Sequence, residues 1–87
     1  MVFFALTRQG YEDLVRMNGR TPSPIWVNAG ILSDTELSEL RDAGLNVTNF
    51  TNPINAKDSE AILDALGTIQ DHYSDQNIWV ECVYDLL

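Results

Sequence analysis

A chain of 87 residues with 45% apolar content, three phenylalanines, three tyrosines and two tryptophans makes one globular domain, residues 1–87, with a core of modest size, and excludes wholesale disorder. Its longest apolar run, residues 2–6, is far too short to span a bilayer. Thirteen acids against five bases give a net charge of −8, which excludes recognition of nucleic acid through its phosphates, a task that needs Lys and Arg.

The hydrophobic period changes repeatedly along the chain. Residues 2–7 read as a strand with Val2, Phe4 and Leu6 on one face and Phe3 and Ala5 on the other, apolar on both sides as in a strand covered twice. The run lacks the basic flank and cleavage site of a secretory signal. Residues 9–18 follow as a helix with Tyr11, Leu14, Val15 and Asn18 at helical spacing, and Gly19 is placed to end it. Pro22 and Pro24 hold the next loop extended. Residues 25–29 form the second strand.

The second helix, 34–43, carries the clearest local grammar. Ser33 is its N-cap, and Glu36 three residues on completes a capping box. Leu32 and Leu37 occupy the staple positions, while Gly44 supplies a left-handed end over which Leu45 folds back. The third strand, 46–51, has Val47 and Asn49 on one side and Thr48 and Phe50 on the other, and Asn52-Pro53 breaks it. A third helix starts at an Asn55 or Asp58 cap and runs to about Tyr73, with Ile62, Leu66, Ile69 and Tyr73 as its stripe, reinforced by Leu63 and Ala65. After a polar turn at 74–77, residues 78–84 form the fourth strand.

Strands joined by helical crossovers are parallel. The expected fold is therefore α/β, a small four-stranded, mainly parallel sheet with three helices in the order β-α-β-α-β-α-β. This alternation is similar to that of flavodoxin-like and half-Rossmann sheets, which implies a fold and no function. A strand order of 2-1-3-4 puts the first helix on one face, the other two on the opposite face, and the switch point between strands one and three. The tripeptide Ile-Trp-Val occurs at both 25–27 and 78–80, so at matching height Trp26 and Trp79 share one buried layer.

Ligands of parallel sheets bind beyond the carboxyl ends of the strands. Candidate ligand-binding residues there are Arg8 and Gln9 after the first strand, Asn28 and Gly30 after the second, and Thr51 and Asn52 after the third. Arg8, next to free helix amides, can hold a carboxylate or a phosphate. No glycine-rich fingerprint or P-loop lysine accompanies it. The single histidine, His72, sits in an acidic last turn, where it suits the negative helix end. Cys82 is a lone cysteine with no metal-ligand spacing around it. No catalytic residue, metal site or cofactor is expected.

Charge is unevenly spread. Residues 1–57 hold six acids and all five bases, whereas residues 58–87 hold seven acids and no base. The expectation is a small cytosolic, non-catalytic protein-interaction or regulatory module that self-associates, with strand four as an exposed edge and Tyr84, Leu86 and Leu87 exposed at the terminus. Its protein partner can be basic; no nucleic acid or membrane partner is expected. Two alternatives stay open. One is a binder of, or enzyme on, a small anionic ligand near Arg8. The other is an acidic decoy for a basic, nucleic-acid-binding type of surface.

Overall fold

The computed structural model describes residues 1–18 and 23–81. Seven elements alternate along it: β1 (Val2–Ala5), α1 (Arg8–Asn18), β2 (Ile25–Val27), α2 (Asp34–Asp42), β3 (Val47–Asn49), α3 (Ser59–His72) and β4 (Ile78–Val80). All strand pairs are parallel, so the α/β architecture is the expected one. Gly19, and residues 82–84 of the expected fourth strand together with Leu86 and Leu87, lie outside the described residues.

The strand order is β3-β2-β1-β4, which corrects the expected 2-1-3-4. The chain steps β1 to β2 to β3 in one direction, then crosses back over β2 and β1 to place β4. Right-handed crossovers turn that reversal into a division of faces. α1 and α2 share one face, and α3 lies alone on the other, again differing from the expected distribution. Two apolar clusters record it. Tyr11 and Leu14 of α1 and Leu37 of α2 pack with Ala5, Ile25, Val27 and Val47. Ala65 and Ile69 of α3 pack with Val2, Phe4, Leu6 and Trp26 on the opposite side. The alternation read from β1 and β3 holds, because a strand with apolar residues on both faces can feed two clusters.

Two stripe positions turn outward. Val15 of α1 is 43% exposed and Leu63 of α3 is 65% exposed, since each helix meets the sheet along one narrow line and these residues flank it. The two tryptophans also part company. Phe4 is in register with Trp26, but Phe3 is in register with Trp79. That offset of one residue sends the two Ile-Trp-Val segments to opposite faces. Trp26 is 5% exposed beneath α3, with Phe50 at 5.3 Å, whereas Trp79 is 59% exposed on the α1 side.

Local grammar explains the helix ends. Ser33 Oγ accepts from Glu36 N at 3.1 Å, and Glu36 Oε1 accepts from Ser33 N at 3.0 Å, closing the capping box. At the other end, Gly44 has φ of 88°; its N–H reaches Arg41 O and Leu45 N–H reaches Leu40 O, both at 3.0 Å, a Schellman closure. Ser33→Ala is expected to lower unfolding free energy by about 1 kcal/mol, by leaving the Glu36 amide without its acceptor. Denaturant midpoints check this, and a midpoint that does not move would mean that water caps the helix equally well. Asp58, one of the two expected caps of α3, accepts from the amides of Glu60 and Ala61.

Candidate functional site at the junction of β1 and β4

The reversal of strand order between β1 and β4 puts the switch point there, rather than beside Thr51 after β3. Three residues meet at that point. Thr7, at the end of β1, caps α1: its Oγ1 accepts from Gly10 N at 3.0 Å. Glu81 follows β4 directly. Its Oε1 accepts from the amides of Leu6 and Thr7, each at 2.8 Å, and its Oε2 accepts from Thr7 Oγ1 at 2.5 Å. Two successive amides at the mouth of a helix form an anion cradle. Here the chain's own carboxylate fills it. Gly10 makes room, because a Cβ at that position would collide with the Glu81 carboxylate.

Three of the expected ligand residues, Arg8, Gln9 and Asn28, are likewise engaged within the fold. Arg8 opens α1, where its guanidinium lies 2.6 Å from Glu36 Oε2 and 3.1 Å from Glu12 Oε1. It also donates to Ile31 O at 3.2 Å. The bonds to Glu36 and Glu12 raise the Arg8 pKa. The Glu36 carboxyl is held below its ordinary value, first by the Ser33 amide and then by Arg8. Burial raises the Tyr11 hydroxyl beneath them. Gln9 donates to Asp13 Oδ1 at 2.9 Å.

Asn28 is buried and works as a clasp. Its Nδ2 donates to Leu6 O at 3.0 Å and to Ile54 O at 2.7 Å, and its Oδ1 accepts from Ile54 N at 2.8 Å. One side chain thereby joins the end of β1, the end of β2 and the loop after β3. Gly30, with φ of 86°, turns the chain in the left-handed region that glycine tolerates. Thr51 and Asn52 are exposed and lie on a separate shallow depression with Pro53, Asp64 and Thr68. Arg8 and Gln9 thus stand with the β1 end, and Thr51 and Asn52 stand apart from them beyond Asn28.

Beside the switch point runs a groove of about 330 Å³ between α1 and β4. Phe3, Ala5, Leu14 and Trp79 supply its apolar surface, and Gln9 and Asp13 are its polar members on α1. The groove exists because α1 and α2 lie toward β1, β2 and β3, leaving the α1 side of β4 uncovered among the described residues. Ladder geometry adds a second feature. Val2 N bonds Asn77 O and Glu81 N bonds Phe4 O, so residues 77, 79 and 81 face β1. The N–H and C=O groups of Ile78 and Val80 therefore point outward from the sheet, unpaired among the described residues.

His72 is exposed, with Nδ1 3.0 Å from Thr68 O and its ring against Trp26. Among the described residues no group of three or more His, Cys, Asp or Glu side chains could hold a metal ion, and no helix is long and apolar enough to cross a membrane. Cys82 lies outside the described residues. No family model matches the chain, and neither do the curated proteins or the solved structures. Glu81 and the groove were not legible as a site in the sequence. The available signal was an acid that directly follows Ile-Trp-Val in an otherwise apolar run, and its meaning depends on which strand β4 joins.

Proposed function

We propose that this chain is a non-catalytic protein-interaction module that docks its partner on the outer edge of β4 and the adjoining Trp79 groove. One contrast carries the reading. The polar groups that follow β1 and β2 are bonded within the chain, while the large apolar side chain on the edge strand is left to solvent. Arg8 is held by two carboxylates, the amide cradle by Glu81 and the Asn28 amide by backbone. An incoming anion would have to displace a carboxylate that is already bonded. Trp79 pairs a broad apolar face with a strand edge that is unpaired among the described residues, and exposed apolar patches of this kind mark contact surfaces.

The same surface lets the chain pair with itself. Two copies, each of net charge −8, repel over a Debye length of about 8 Å at physiological salt, so self-association tightens as salt rises. Sedimentation velocity over a range of protein and salt concentrations should show this, and Trp79→Glu should reduce it. In parallel, phosphorylated and carboxylate metabolites should leave the Tm unchanged. A metabolite that raises the Tm of the wild type but not of Arg8→Ala would overturn the interaction reading in favour of a small anionic ligand.

A further inference from the structure

We infer that the β4 edge receives an extended, lysine- or arginine-bearing segment of a partner protein, laid alongside β4 as an added strand with apolar side chains over Trp79. The inference rests on the docking surface proposed above and names its occupant. Mode and chemistry come from separate observations.

The mode comes from the backbone. Ile78 and Val80 present outward N–H and C=O groups, which an extended segment satisfies at every second residue. Side chains of an added strand alternate between the two faces of the sheet. Those on the α1 side meet Trp79 and the groove floored by Phe3 and Ala5, while those on the other side meet the exposed margin of Val80.

The chemistry comes from charge. Asp13 is on the α1 wall of the groove, and among the described residues no Lys or Arg lines it. Arg16 reaches Asp13 only at 3.8 Å, with its side chain 74% exposed. Asp75 lies in the turn that leads into β4, and residues 58–81 contain six acids and no base. A basic segment gains from this field, and its cations can also stack on the exposed indole face. A second copy would bring another −8 against it, so at physiological ionic strength the basic segment is the preferred occupant.

The probe is a short synthetic peptide of alternating lysine and valine, compared with a glutamate–valine peptide and with a lysine–valine peptide interrupted by proline. Fluorescence anisotropy should show the lysine–valine peptide binding at least about tenfold more tightly than either control, and weakening as salt screens the charges. Trp79 emission should shift to the blue, and amide exchange should slow at Ile78 and Val80. Trp79→Ser keeps the net charge, and this exposed position tolerates the change; it should reduce binding by about tenfold or more.

Equal binding of the lysine and glutamate peptides at β4 would overturn the basic partner while leaving the docking surface in place. So would failure of every peptide together with a dimer at physiological salt that buries Trp79, since the occupant would then be a second copy. Binding of the proline-interrupted peptide as tightly as the intact one would show charge attraction without strand addition and would refute the added strand. A monomer whose Trp79 resists acrylamide quenching and binds no peptide would remove both the inference and the docking surface beneath it.

Discussion

Asn28→Asp is expected to destabilise the fold by about 3–5 kcal/mol at neutral pH, the range for an uncompensated buried charge. The substitution is nearly isosteric, so the effect isolates chemistry from packing. Asn28 Nδ2 donates to two carbonyls, Leu6 O and Ile54 O. A carboxylate cannot donate, and places an anion against both acceptors with only the Ile54 amide left in its favour. A domain of this length has a total stability of roughly 4–13 kcal/mol, so the variant loses a large share of it. The pH dependence has a definite sign. The introduced carboxyl has its folded-state pKa raised above an unfolded value of about 3.9. Stability relative to the parent therefore falls as pH rises from about 3.9 through the raised value, and recovers on acidification because the protonated form can donate again. Asn28→Ala, which loses the bonds without adding charge, should cost less and show no such dependence. Denaturant unfolding of both variants from acid to neutral pH decides the matter; equal losses at every pH would mean that solvent reaches the site.

Gly10→Ala is expected to change sign with the residue at position 81. Alanine in the interior of an exposed helix is ordinarily worth about 1 kcal/mol over glycine. In the parent chain a Cβ at position 10 meets the Glu81 carboxylate, which must leave its bonds to Leu6 N, Thr7 N and Thr7 Oγ1. Those are charge-assisted bonds at a partly buried helix mouth, and Glu81→Ala alone should cost about 2–3 kcal/mol. Gly10→Ala alone should then give a net loss of about 1–2 kcal/mol. In the Glu81→Ala background the obstacle is gone, and the same substitution should stabilise by up to about 1 kcal/mol. A double-mutant cycle by chemical denaturation measures the reversal. Stabilisation by Gly10→Ala in both backgrounds would show that the carboxylate does not hold the cradle.

The two substitutions bear on function as well as stability. The Glu81 bonds tie β4 to the β1–α1 bend at the point where a parallel sheet otherwise offers amides to a ligand. They therefore also fix the edge strand that carries Trp79. On the proposed function, the switch point serves to hold β4, and the apolar surface and strand edge beside it meet the partner.

How much of this was legible in the sequence follows the range of each interaction. The α/β alternation, both faces of β1, the Ser33–Glu36 box and the Gly44 closure depend on residues within one or two turns of each other, so local pattern determined them. The caps of α3 and the outward turn of Val15 and Leu63 were only partly legible, because periodicity defines a stripe but not its margins. Strand order was not legible at all. Right-handed crossovers are compatible with both 2-1-3-4 and β3-β2-β1-β4, and nothing local distinguishes them. Every difference at the site descends from that choice. Placing β4 beside β1 brought Glu81, 74 residues distant along the chain, onto Thr7, set Trp79 opposite Phe3, and left Thr51 and Asn52 beyond Asn28. The residues chosen from sequence as ligand-binding follow the carboxyl ends of β1, β2 and β3, but Thr51 and Asn52 stand apart from Arg8 and Gln9. Whether their polar atoms face a ligand or one another was decided by tertiary contact alone, because a hydrogen bond of 3 Å between distant segments leaves no periodic trace in the chain.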